Sequence, residues 1–278
     1  MKRIVYIILF VSISQFSYSQ QSELGIGLGV CTYYGDLGRD NLKSIHPAFQ
    51  VFYNYRFNAF LNTRLSFGMG TISGNDSYST NAGQNQRNLS FRSNVNEFAG
   101  VLEFNYGGIG KNIIPYFYAG VNAFLFNPKT LYNGEWVYLR ELGTEGQGSV
   151  HHPDKIKYSL LESSIVFGAG VKIAVTAHLA FSIDLGWRRT NTDYIDDVGG
   201  EYINYNELLR SNGELAAKLS DRTPEYLGIT EHMNRETGAQ RGGNSSGDYY
   251  VMSFLNVLYN LNGTYAVKNA KSVKCPKF

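Results

Sequence analysis

Cysteine is nearly absent: Cys31 and Cys275 are the only two in 278 residues, too few for a disulfide framework. Proline is scarce, at 6. Neither sign of charge dominates, since 25 Lys and Arg face 23 Asp and Glu for a formal net charge of +2. That balance gives no general argument for nucleic-acid binding. After residue 19 no apolar run is long enough for a membrane helix. A membrane crossing by this chain would therefore need strands closed into a barrel, because open strands in lipid leave backbone groups unpaired. Reactive clusters are missing too. His151-His152-Pro153-Asp154 offers ligand types, but adjacent loop histidines rarely converge on a metal without further ligands. Asp193, Asp196 and Asp197 lack the spacing of a calcium loop and read as solvated loop residues. His46 sits at a loop edge and His178 at a predicted periplasmic turn, so no Ser or Asp held against a His is legible. The glycine-rich run 143–148 lacks the strand–helix context of a phosphate loop and reads as turn chemistry. The expectation is a protein that is not an enzyme and carries no metal or cofactor.

What is plentiful is aromatic and glycine residues, with 21 Tyr, 17 Phe and 30 Gly. They fall into period-two patterns. In the stretch 156–194, Leu161, Ile165, Phe167, Ala169, Val171 and Ile173 share one parity, and Glu162, Ser164, Gly168, Gly170 and Lys172 share the other. After a break at 176–177, Leu179, Phe181, Ile183, Leu185 and Trp187 alternate with Ala180, Ser182, Asp184, Gly186 and Arg188. This is a hairpin with one oily and one polar face, each arm long enough for a tilted membrane strand. Similar patterns predict strands at 23–34, 47–57, 61–69, 95–106, 114–126 and 249–261. Short connections near residues 58, 109 and 176 alternate with long ones at 36–46, 73–93, 127–157 and 192–248. The expected fold is all-β: an eight-stranded antiparallel transmembrane β-barrel with short periplasmic turns and long extracellular loops. A soluble lipocalin-like barrel is the competing architecture, with its apolar face turned inward.

Lys2 and Arg3, the apolar run 4–13 and Ser17-Tyr18-Ser19 form a secretory signal, so residues 1–19 are expected to be removed. Residues 20–262 then form the barrel, with 192–248 as a long loop insertion, and 263–278 a basic periplasmic tail. Helical character is expected within 207–219. An eight-stranded barrel is filled by its own side chains. The inward set includes Arg64, Glu97, Glu103, Glu162, Lys172, Asp184 and Arg188, both signs together, and predicts a lumen ion-pair network. Cys31 points inward. For Cys275, an internal bond to Cys31, an intermolecular disulfide and a pair of reduced thiols all stay open.

Several separated motifs resemble the PorG family: Tyr33-Tyr34-Gly35-Asp36-Leu37, the runs 115–120 and 126–129, Leu142-Gly143-Thr144-Glu145-Gly146-Gln147-Gly148, Lys157-Tyr158-Ser159, and the run 189–198. Members of that family are outer-membrane barrels of the type IX secretion system of Bacteroidetes. The resemblance implies an outer-membrane location in a Gram-negative cell, and the even strand count with short turns on one side puts both termini in the periplasm. It also implies a non-enzymatic role in protein secretion, and in some bacteria gliding motility, beside a periplasmic ring of a PorK-like lipoprotein and a PorN-like subunit. The tail residues Lys268, Lys271, Lys274 and Cys275 are the expected partner contacts. A small OmpW-like transport or receptor barrel is the alternative; it would need a hydrophobic lumen or a lateral opening.

Overall fold

The alternating stretches form strands β1 (Gln21–Tyr34), β2 (His46–Arg56), β3 (Leu61–Asn75), β4 (Ser90–Asn105), β5 (Ile113–Leu125), β6 (Lys129–Tyr132), β7 (Glu135–Tyr138), β8 (Leu161–Ala174), β9 (Leu179–Thr190) and β10 (Tyr249–Asn260). They are seen in a computed structural model that describes residues 21–38, 43–107, 111–243, 247–263 and 265. The signal segment and the tail residues Lys268, Lys271, Lys274 and Cys275 lie outside the described residues. Eight of the strands pair antiparallel in the order β3-β2-β1-β10-β9-β8-β5-β4. A β3–β4 ladder running from Leu61↔Phe104 to Asn75↔Ser90 closes the ring. Closure leaves none of these eight strands as an edge, which satisfies the backbone without water. The eight-stranded antiparallel barrel expected from the alternation is the observed fold.

Glu23 of the first strand lies opposite Asn260 of the last, so the barrel begins and ends at one mouth. The tight turns after β2 and β8 share that mouth, and every long connection lies at the other. Two of those connections hold more structure than the sequence reading allowed. The loop expected at 73–93 is shorter, because β3 runs on to Asn75 and β4 starts at Ser90. Only a 3-10 turn (Asp76–Tyr78) and the helix α1 (Ala82–Arg87) separate them. The loop expected at 127–157 contains the β6–β7 hairpin, joined to the barrel at Arg92↔Lys129, and the single-turn helix α2 (Leu139–Leu142). The long insertion carries three short helices, α3 (Tyr205–Ser211), α4 (Glu214–Ser220) and α5 (Thr223–Leu227).

The two faces of the wall settle which architecture this is. Leu28, Phe98, Leu102, Val121 and Leu255 are among many large apolar side chains more than half exposed on the outside. Phe181 and Leu185, which would line a dry interior in a lipocalin-like barrel, are 46% and 39% exposed. The inner face is polar and buried. Along β4 and the residue after it the apolar outer positions run from Phe98 to Tyr106, a band about 20–25 Å tall for a tilted strand. Above it the outer face turns polar at Asn94 and Arg92, both exposed. Aromatic rings mark both margins. Phe57, Phe60, Tyr106 and Tyr259 are exposed near the terminal mouth. Toward the other mouth Tyr34 stacks on Tyr249 at 4.8 Å, and Phe167 on Trp187 at 5.7 Å. Apolar band, inner polarity and paired aromatic girdles are the features a bilayer imposes on a barrel.

Candidate functional site

The lumen is narrow because glycines on the inner face let rings cross it. A side-chain carbon at Gly25 would overlap the Phe52 ring, and one at Gly170 would overlap Tyr116. Charge fills the remaining space. Glu23, Glu97, Glu103 and Asp184 oppose Arg56, Arg64, Lys172 and Arg188, four of each sign, all buried. Arg64 pairs with Glu103 and reaches Asp184 at 3.3 Å. Its guanidinium lies 4.6 Å from the Phe52 ring centre and 5.3 Å from that of Tyr116. Lys172, only 1% exposed, bridges Glu23 at 3.1 Å and Glu103 at 3.3 Å. Arg56 also pairs with Glu23. Nearer the loops, Arg188 binds Glu97 at 2.8 Å, and Tyr250 and Asn122 donate to Glu97 at 2.7 and 2.8 Å.

The structure thus brings Arg64, Glu103, Lys172 and Asp184 into one cluster and sets Arg188 in a second, with Glu97. Glu162 is the exception. It shares the inward parity but sits near the loop end of β8, half-buried opposite Phe124, and enters none of the ion pairs found among the described residues. Glu23 and Arg56 belong to the network and were missing from the expected pairs. Their parity places both inward, yet no spacing along the chain announces that Glu23 meets Lys172 149 positions away. Cys31 faces the lumen, fully buried.

Both mouths are covered. At the terminal mouth Phe52, Ala174, Ala180, Leu258 and Tyr265 form a buried apolar plug. At the other mouth the loops build a cap around three buried polar centres. Tyr33 donates to Asp196 and lies 3.3 Å from Asp248. Asp197 accepts from Thr144 at 2.5 Å and Tyr158 at 2.7 Å. Beside it Arg241 donates to Glu145 at 2.8 Å and to the Asp197 carbonyl at 2.7 Å. Arg87 forks onto Asp76 and also donates to the carbonyls of Asp36 and Arg241. Phe126, Tyr158 and Tyr194 stack face to face beneath these groups. Asp196 and Asp197, expected as solvated loop residues, are therefore buried and engaged; the solvation reading fails because folding brings Tyr33 of β1, and Thr144 and Tyr158 of another connection, onto them. The segments that carry the family resemblance are the ones that meet here: Tyr33, Thr144, Tyr158, Asp196 and Asp197 come from four of them.

Burial is the main reason Asp193, Asp196, Asp197 and Asp248 bind protons more tightly than free carboxyls do. It pushes Asp196 and Asp248 well above the usual carboxylate range, with the charges of Asp196, Asp193 and Asp36 adding repulsion at Asp248. It raises Asp197 to about 6 against the pull of Arg241. Asp193 also rises to about 6, through burial and the charges of Asp36 and Glu145. A carboxyl whose pKa is higher folded than unfolded stabilises the fold most below its unfolded pKa, and that stability is lost as pH rises through the folded value. Lowering the pH from 7 to 5 is therefore expected to tighten the cap by on the order of 1–3 kcal/mol. Hydrogen exchange of the 194–200 amides, corrected for intrinsic rate, is the measurement. Slower opening at pH 5 is the expected result, and faster opening would show that these carboxyls are charged and paired at neutral pH.

Compared with known proteins, the chain matches no curated protein. Among solved structures it resembles OprG of Pseudomonas aeruginosa at 8% identity and a TM-score of 0.42, with 87% of this chain and 96% of that chain covered. The N-terminal barrel domain of Pseudomonas aeruginosa OprF gives 11% identity and 0.39, covering 87% and 100%. A major outer-membrane protein of Thermus thermophilus gives 10% and 0.41, covering 86% and 99%. The strand order and closure described above stand on the hydrogen-bond ladders of this chain itself. Residues 2–216 match the profile of a family described as a domain of unknown function, DUF6089, and the chain belongs to that family.

Proposed function

We propose that this protein is a closed anchor in the outer membrane, which holds a partner assembly at its terminal mouth and neither conducts solutes nor catalyses a reaction. One observation carries the reading: a lumen filled by balanced ion pairs is stoppered at one mouth by an apolar plug and at the other by a hydrogen-bonded cap. A barrel with no interior path acts through its wall, loops or ends. The resemblance to the PorG family supplies the finer proposal. The partner is then the periplasmic ring of a type IX secretion system, built from a PorK-like lipoprotein and a PorN-like subunit, in a Bacteroidetes-type envelope. The short turns and the basic tail with Lys268, Lys271, Lys274 and Cys275 are the contact surface in this reading.

Two measurements test it. In planar bilayers the purified barrel is expected to give no stepwise conductance; steady channels would favour the small transport barrel instead. From detergent-solubilised envelopes the tagged full-length chain is expected to co-enrich a ring lipoprotein, and removal of residues 266–278 to reduce that yield at least several-fold. An unchanged yield would exclude the tail as the contact. A protein recovered alone would sink the anchoring role.

A further inference from the structure

The cap holds a cleft that neither the sealed lumen nor the anchoring role uses. The helices α3, α4 and α5, together with the segment 229–235, enclose a cavity of about 370 Å³. Its size is at the lower end of pockets that take small molecules. Three features define what fits. Its charges are already matched inside the lining: Lys218 pairs with Glu214 at 2.6 Å, Arg222 with Glu225 at 2.7 Å and Arg235 with Asp221 at 2.7 Å. An ionic ligand would have to break one of these pairs to gain a partner. The second feature is flat aromatic surface held in place. The Tyr205 ring stacks on His232 with centres 3.6 Å apart, and the Arg235 guanidinium lies 5.3 Å from the centre of Tyr202. The third is an unanswered group. Ser220 lines the cleft, is 3% exposed, and its hydroxyl has no hydrogen-bond partner among the described residues. A buried hydroxyl without a partner is costly, and turning about the Ser220 Cα–Cβ bond toward the cleft would let a ligand oxygen relieve it.

A purely apolar ligand would strip water from three ion pairs and leave Ser220 unsatisfied. A peptide of several side chains exceeds the volume. A neutral ring that carries hydroxyls meets every condition. Its C–H face lies on an aromatic ring, its hydroxyls donate to the carboxylates and accept from the guanidinium groups, and no charge is added. We propose that this cleft binds a neutral saccharide, one or two rings of a glycan, at the long-loop end of the barrel. The proposal requires only a folded cap and stands whether or not the anchoring role does.

The test uses the full-length chain in detergent. Saturation-transfer NMR and calorimetric titration are run with mannose, galactose, N-acetylglucosamine, maltose and lactose, and with galacturonate and glucose 6-phosphate as charged counterparts. At least one neutral sugar is expected to bind with a Kd of about 1 mM or below. Ser220→Ala is expected to weaken it about fivefold, the loss of one hydrogen bond, and Tyr205→Ala about tenfold or more. An unchanged near-ultraviolet circular dichroism spectrum serves as the check on folding for both variants. Vesicles of lipopolysaccharide with and without its glycan separate the sources: retention by the glycan-bearing vesicles assigns a surface glycan, and binding of free sugars alone assigns a soluble one. No neutral sugar bound at about 10 mM, tighter binding of the charged counterparts, or affinity unmoved by both variants would overturn the proposal.

Discussion

Replacing Arg64 with alanine is expected to cost about 3–5 kcal/mol of folding stability, the largest effect of any single change in the lumen. Arg64 touches both Glu103 and Asp184 and lies over three aromatic rings, those of Phe52, Tyr116 and Tyr118. Removing it leaves Glu103 to Lys172 and a hydrogen bond from Asn62, and Asp184 to hydrogen bonds from Tyr116 and Asn256. The lumen then holds four buried carboxylates against three cations, and water has no ready way in past the plug and the cap. Arg64→Lys is not expected to rescue the loss. An ammonium is a point charge and does not reproduce the planar fork that serves two carboxylates while packing against rings. The paired change Arg64→Met with Glu103→Gln is expected to recover part of the stability, since it removes a buried charge of each sign together. Urea unfolding in lipid vesicles, followed by the fluorescence of Trp136 and Trp187, gives the comparison. An Arg64→Ala barrel within about 1 kcal/mol of the parent would mean that the lumen is wet, and the sealed-anchor reading would go with it.

The wall was legible in the sequence because lipid and lumen impose opposite chemistry on alternate residues, and a strand of a dozen residues repeats that choice several times. Legibility ended where the contrast ended. Past the apolar band, Thr71 and Ser73 on β3 and Asn94 and Arg92 on β4 are polar on the outside as well, so paired strand reads as loop. The four-residue strands of the β6–β7 hairpin are too short to show a period. Inward charges could be named one by one from parity, yet their partners lie across the lumen, where sequence distance carries no information. That is why Glu162 was grouped with Lys172, although it lies ten positions farther up the same strand, beside the cap. The cap itself was the least legible part. Each of its carboxylates sits in a run of Gly, Asp, Asn and Thr that looks solvated by itself. Burial arises only when the four loops meet, and the left-handed backbone at Asp197, with φ of 69°, lets that loop turn inward on its own carboxylate.

A charge placed on the outside of the wall tests the other half of the architecture. Leu102→Arg, in the middle of the apolar band on β4 and 56% exposed, is expected to destabilise the barrel in lipid vesicles by about 2–4 kcal/mol. The same substitution at Phe98 or Tyr106, nearer the two margins, is expected to cost less, because the penalty for a charge falls toward either interface. Val150→Arg, at a loop position 91% exposed, is expected to stay within about 0.5 kcal/mol. The profile matters more than any one value. In water an exposed leucine on a soluble barrel gains solubility from the change to arginine, so all four sites would respond weakly and without regard to depth. Lipid around the wall instead demands a maximum at Leu102 with a decline on both sides. A flat response would remove the bilayer from the account of this fold, and with it the reason its polarity is turned inside out.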